Sequence, residues 1–316
     1  MKLHIFRKAF TFLELIFAIV ILGVVSSIGS SIIVQVYENY ITQKAMHNVS
    51  IKTELAINQI VNRLTYRITS STIARDPDTS AVDYFLPLQD INYGSSNKDR
   101  FILEWIGYDE ESFSARTQPR WSGYADIAAT TRTRIRTTGS RLNTARTIIQ
   151  NLAGNTNEPA LALLFSLGGQ AFSNTLASPG PSCYGYDDAN MTCIHQVTIR
   201  NNRNFNANMP AGVNISDHYK LAWSAYALVP VDRAGNVLTT ISDVRNFDLE
   251  LRYNYQPWSG IQYDDSATSK SILLRNVTAF KFSEQGGTLR LKLCATEKLD
   301  GIKTNISVCK EKVVIR

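Results

Sequence analysis

A run of apolar residues at the amino terminus dictates where the rest of this chain can be. Leu15–Val25 is eleven positions of apolar side chains or Gly, and the apolar character continues, diluted by Ser26, Ser27, Ser30 and Ser31, as far as Val36. Phe10 to Val36 is 27 residues, about 40 Å as a helix at 1.5 Å per residue, enough to cross a bilayer. Lys2, Arg7 and Lys8 precede it, so the positive-inside bias keeps the amino terminus in the cytoplasm and exports everything after the run. Glu14 breaks the pattern. An unpaired carboxylate at the head of a spanning helix costs at least a few kcal/mol, so it needs a partner or a purpose.

The stretch around that charge, Ala9-Phe10-Thr11-Phe12-Leu13-Glu14-Leu15, resembles the class III signal of type IV prepilins and type II secretion pseudopilins. The resemblance implies cleavage between Ala9 and Phe10 by a prepilin peptidase, followed by N-methylation of Phe10. Glu14 is then the fifth residue of the mature chain, where the family places a Glu. There it implies neutralisation of a neighbouring subunit's Phe10 ammonium, in a low dielectric that strengthens the attraction. Ala9 departs from the family's usual Gly, and Ala is the next smallest side chain. An ordinary secretory signal shares the basic start and apolar core but has no place for Glu14. A plain signal anchor accommodates the length and gives the Glu no role. The resemblance covers roughly residues 1–40.

The formal charge is +6, but three of the basic residues are Lys2, Arg7 and Lys8, which leaves +3 for the remainder. Net charge therefore lends little to nucleic-acid binding. The four cysteines, Cys183, Cys193, Cys294 and Cys309, all follow the apolar run. An even number in an exported domain reads as two disulfides, with three connectivities open and the neighbour pairs most economical. A zinc site enlisting His195 beside Cys193 lacks the CxxC spacing.

No proline occurs before Pro77, which permits one long helix outward from the membrane. Ile57, Ile60, Val61, Leu64 and Ile68 form an i, i+3, i+4, i+7 stripe, so this outer half has one face to bury. The pattern predicts a helix from near Phe10 to about Ser71, ended by Arg75-Asp76-Pro77-Asp78. After Pro77 the period changes to two. Val82–Leu88, Phe101–Ile106, Tyr219–Val231, Phe247–Tyr255, Ile272–Phe282, Leu289–Leu293 and Ser307–Ile315 read as strands. Asp300-Gly301 marks the turn of a terminal hairpin, which puts Cys294 and Cys309 almost symmetrically about it. Asn151–Asn157 and Asn201–Asn208 read as surface loops. The expected organisation is a leader over 1–9, a transmembrane helix over 10–36, an amphipathic helix over 37–76 and a β-rich globular domain over 77–316. The fold class is α+β, with the long helix packed on antiparallel sheet, which the resemblance makes pilin-like.

Candidate chemistry is sparse. His195 and His218 have no nucleophile motif near them, and no GxSxG, HExxH or P-loop occurs, so no enzyme activity is expected. Between Asp126 and Glu158 there is no acid, but there are Arg132, Arg134, Arg136, Arg141 and Arg146. The first three alternate and on a strand would share a face able to grip a DNA backbone; a solvated Arg-rich face or ion pairs is the plainer account. Asp187-Asp188 and Asp264-Asp265 offer oxygens to Ca²⁺ but fall short of a ligand loop. Asp188-Ala189-Asn190-Met191-Thr192 fits an extended bacterial N-glycosylation pattern at Asn190.

The expected role is therefore assembly. The resemblance implies a single-pass bacterial inner-membrane subunit with a periplasmic domain, whose partners are prepilin peptidase and other pilins or pseudopilins. The family's repeating subunits commonly carry Pro where this chain has Ser31. Its absence and the size of the exported part resemble the bulky minor subunits.

Overall fold

A computed structural model describes residues 11–80, 84–91, 100–114, 118–154, 158–165, 181–187, 191–210, 215–241, 246–298 and 305–315. One helix and one antiparallel sheet organise it. Helix α1, Phe12–Thr65, runs 54 residues without a break, about 80 Å at 1.5 Å per residue. It passes straight through Ser31, whose hydroxyl donates to Ile28 O at 2.8 Å. Its two halves differ as the sequence predicts. Up to Tyr40 the large apolar side chains are exposed all round, whereas Ala45, Val49, Thr53, Ala56, Ile57, Ile60 and Leu64 are buried along one stripe.

The helix stops at Thr65, short of the expected end. The Tyr66 N–H turns back to the carbonyls of Arg63 and Leu64, and Ile68 N–H bonds Ile106 O at 2.8 Å. The apolar periodicity carries on through Ile68 because that side chain is also buried, but in a different core from the helix stripe. Residues 73–75, expected to continue the helix into its closing cluster, are instead strand β1, Ile73–Arg75.

The remaining strands are β2 (Phe85–Pro87), β3 (Ile102–Tyr108), β4 (Arg134–Arg136), β5 (Leu161–Phe165), β6 (His195–Asn201), β7 (Asn204–Ala207), β8 (Tyr219–Val231), β9 (Phe247–Tyr255), β10 (Ser269–Gln285), β11 (Thr288–Lys298) and β12 (Asn305–Val314). They form one sheet in the order β12-β11-β10-β9-β8-β5-β6-β7-β4, with β3, β1 and β2 branching from β8. Strand β8 is the hub. Ala225, Ala227 and Leu228 each pair with β3 and with β9, while its first residues, Tyr219–Ala222, pair with β5. The β10–β11 hairpin closes on Gly286 and Gly287, both at positive φ (59° and 77°), a turn that side-chain-bearing residues adopt with strain.

Alternation along the central strands sorts their side chains into two cores. Leu103, Trp105, Leu228, Leu249 and Leu251 face the α1 stripe. Ile102, Ile106, Ala227, Val229 and Tyr255 face the opposite side, covered by Tyr184, Tyr186, Ile194 and Trp258. A third core lies under the β4–β7 end, where helix α3, Leu142–Ala153, buries Leu142, Ala145 and Ile149; Leu142 and Ile149 join Ile135, Val197, Ile199 and Phe205 there. A short helix α2, Glu110–Phe113, follows β3.

Two expected surface loops resolve differently. The stretch Asn201–Asn208 is mostly hairpin: β6 and β7 pair across a turn at 202–203. Phe205 is buried while Asn204 and Asn206 sit on the other face, so amide side chains disguised a strand alternation. Asn151, Leu152 and Ala153 are the last turn of α3, capped by Gly154 at φ 65°. Residues 155–157, 82–83 and 300–301, the rest of that loop, the start of one expected strand and the terminal turn, lie outside the described residues.

Candidate functional site

The amino-terminal half of α1 is the first candidate. None of the described residues covers it, and it is the one described helix long and apolar enough to cross a membrane. Thr11 caps it. Glu14 N–H donates to Thr11 Oγ1 at 3.4 Å, and Thr11 N–H returns to Glu14 Oε2 at 3.4 Å, a reciprocal capping box. Glu14 thus has a local partner besides any it finds in another chain. The spacing Thr-x-x-Glu ahead of an apolar run was the signal for it. Ala9 and Phe10 lie outside the described residues.

The outer half of α1 is fixed to the sheet's terminal hairpin. Glu54 takes Lys312 at 2.7 Å and Lys310 at 3.7 Å, and Lys52 meets Glu297 at 3.7 Å. Beside it Cys294 and Cys309 stand directly opposite in the β11–β12 register and are bonded, as Cys183 is to Cys193. Both neighbour pairs therefore form. Asn190 and Asp188 lie inside the loop closed by Cys183 and Cys193 but outside the described residues.

The arginine run separates into three settings. Arg134 and Arg136 flank buried Ile135 on β4 and share its outer face. Arg132 occupies the preceding turn, its Nε donating to Met209 O at 3.1 Å. Arg141 stands at the N-cap of α3 and Arg146 within it, on the opposite side of the strands, and Arg146 pairs with Glu158 at 3.0 Å. Arg136 pairs with Asp126 at 3.7 Å.

Acidic groups do not assemble a metal centre among the described residues, where no three His, Cys, Asp or Glu converge. Asp265 instead closes a turn, accepting from Gln262 N–H at 2.6 Å. His195 is buried against Phe165, and burial lowers its pKa; His218 is exposed and meets Asp217 at 2.9 Å. Asp109 caps α2 through the Ser112 N–H, and burial pushes its carboxyl up to about 7.

An ionic hub beneath the second core has no signature in the residue pattern. Asp248, Glu250 and Arg252 alternate with apolar neighbours as a solvent face would, yet all three are buried. Arg252 pairs with Glu250 at 2.9 Å, and Arg75 with Glu104 at 2.7 Å. Tyr255 Oη donates to Glu104 Oε1 at 2.9 Å, and the Arg75 guanidinium lies within 5.8 Å of the rings of Tyr84, Phe85, Tyr186 and Tyr263. These contacts tie β1, β3 and β9 to the 181–187 segment. Their partners are one another, which makes the hub a structural lock. No family model, curated protein or solved structure matches the chain.

Proposed function

We propose that this chain is a minor pilin or pseudopilin, processed at Ala9/Phe10 and assembled through its amino-terminal helix into a type IV pilus-like or type II secretion filament. The observation that carries the reading is the order of features: a basic start and Ala9-Phe10 in the sequence, then along the unbroken helix α1 Glu14, an apolar half that none of the described residues covers, and an outer half built into the domain's core. A subunit of this kind is drawn from the membrane by its helix while the domain travels with it as one body. The apolar half then exchanges lipid for the helices of neighbours, and the domain meets other minor subunits or a cargo.

Mass spectrometry of the mature amino terminus tests it. An N-methylated Phe10 is the expected result. An intact Met1 would sink the proposal and leave a signal-anchored envelope protein outside the family; a cut near Ser31 would sink it and leave a protein secreted without an anchor.

A further inference from the structure

The arginines singled out by sequence do not form the patch their spacing implies, but the fold assembles another. Strands β6 and β7 fold back on β4, so that Ile135, Phe205 and Ile199 point into the third core. Their neighbours point outward: Arg134 opposite Asn206 and Thr198, Arg136 opposite Asn204, and Arg200 one residue beyond Ile199 on β6. Arg132 and Arg203 stand exposed in the adjoining turns. None of the three strands contains an Asp or Glu. The one ion pair these five arginines make among the described residues is Arg136 with Asp126. The Nε of Arg134 is enclosed without an acceptor.

We propose that this outer face of β4–β7–β6 binds the phosphate backbone of double-stranded nucleic acid. The surface combines guanidinium, amide and hydroxyl groups, the donors that proteins use on phosphate oxygens. It lacks the other things that a polyanion-facing or docking surface would carry for a different partner. No aromatic side chain lies on it to stack unpaired bases, since Phe205 points inward, which disfavours a single strand. It has no large apolar side chain to enter a lipid interface and no aromatic or aliphatic anchor of the sort that centres protein interfaces. Arg134 and Arg136 are one strand repeat apart, about 6.8 Å, and β6 lies two strand spacings from β4, about 10 Å. Three guanidinium groups in that area can meet about three phosphates, with Asn204, Asn206 and Thr198 between them. Contacts of this kind carry affinity without sequence preference. Arg200 and Arg203 come from a hairpin more than 60 residues beyond β4, so only the β4–β7 register joins them to Arg134 and Arg136. This inference stands independently of the filament reading.

The test uses the full chain in detergent micelles and a 30-base-pair duplex, read by fluorescence anisotropy between 50 and 200 mM salt. Three phosphate contacts predict a log–log salt slope of about −2.7, a loss of about 40-fold over that range. The combined variant Arg134→Gln/Arg136→Gln/Arg200→Gln should lose at least tenfold in affinity at 50 mM salt and flatten the slope by about 2.7, to near zero. The Lys triple at the same positions keeps the charge and should keep binding; if the Gln triple fails to fold, Arg136→Gln and Arg200→Gln, both at exposed side chains, stand in for it singly and should each flatten the slope by about 0.9. Arg141→Gln, on the far side of these strands, should change nothing. Absence of duplex binding at 50 mM, an unaltered Gln triple, or tighter binding to a single strand or to vesicles with anionic lipid would overturn the proposal.

Discussion

The claim that α1 is part of the domain's core, rather than a tether to it, can be tested within three residues of the helix. Ile57 is 0% exposed and lies in the cluster with Trp105, Leu249 and Leu291, whereas Leu55, two positions earlier, is 58% exposed. Truncating a fully enclosed Ile to Ala removes the buried hydrocarbon and leaves a cavity, together about 2–5 kcal/mol. Truncating the exposed Leu removes surface that is already wet and raises helix propensity slightly, so the change should stay within about 0.5 kcal/mol. Urea unfolding of the full chain in micelles, followed by tryptophan fluorescence, reports both, because Trp105 is buried in the affected cluster. With a slope of about 3 kcal/mol per molar urea, the upper end that a domain this large should show, the Ile57→Ala midpoint should fall by about 0.7–1.7 M and the Leu55→Ala midpoint should barely move. Equal shifts, or a shift below about 0.5 kcal/mol for Ile57→Ala, would refute the packing and with it the idea that helix and domain move as one body.

Two further outcomes follow from the fold. Replacing Cys294 and Cys309 together by Ala should lower stability by about 3 kcal/mol, the loop-closure value for the 15-residue separation, with loss of protection in β12 read by hydrogen exchange. Asp109 adds a pH dependence. Its folded carboxyl, near 7, lies above the unfolded value of about 4, so the native state binds the extra proton and stability falls as pH rises from about 4 to 7. Asp109→Asn keeps an oxygen for the Ser112 N–H, so it should flatten that fall and be the more stable form at pH 8, by at most about 4 kcal/mol; urea midpoints at pH 5 and pH 8 check it.

What could be read from the chain depended on whether one element's pattern carried its own information. The apolar run and strand β8 were legible because each is apolar over many consecutive residues, and the stripe from Ile57 to Leu64 because it repeats a single period. The end of α1 was not, since Ile68 keeps the helical rhythm while serving another core. The β6–β7 hairpin was hidden by asparagines on its outer face, although Val197, Ile199 and Phe205 alternate inward. Helix α3 left a signal in Leu142, Ala145, Ile149 and Gly154 that the surrounding arginines and asparagines obscured. The buried pairs Arg75–Glu104 and Arg252–Glu250 could not have been read at all. A charged residue in a strand reads as solvent-facing until the opposite face is known to be covered, and the partners of Arg75 lie 29 and 111 residues away. The same limit applied to the arginine face, which exists only through pairing.

The capping box gives Glu14 one reason to be where it is, the proposed function would give it a second, and the two can be separated. The capping box needs an acceptor at that position, which Gln supplies as well as Glu. Neutralising a neighbour's amino terminus needs a negative charge, which Gln lacks. Removing the charge also lowers the cost of placing this helix in lipid, so Glu14→Gln should insert at least as well as the native chain. On the proposed function, the variant is processed at Ala9/Phe10, sits stably in the membrane and fails to enter filaments, while Glu14→Ala fails in the same way with a frayed first turn. Normal incorporation of Glu14→Gln, scored by immunogold counts on sheared filaments, would mean that capping alone accounts for the residue. The charge would then have no part in joining one subunit to the next.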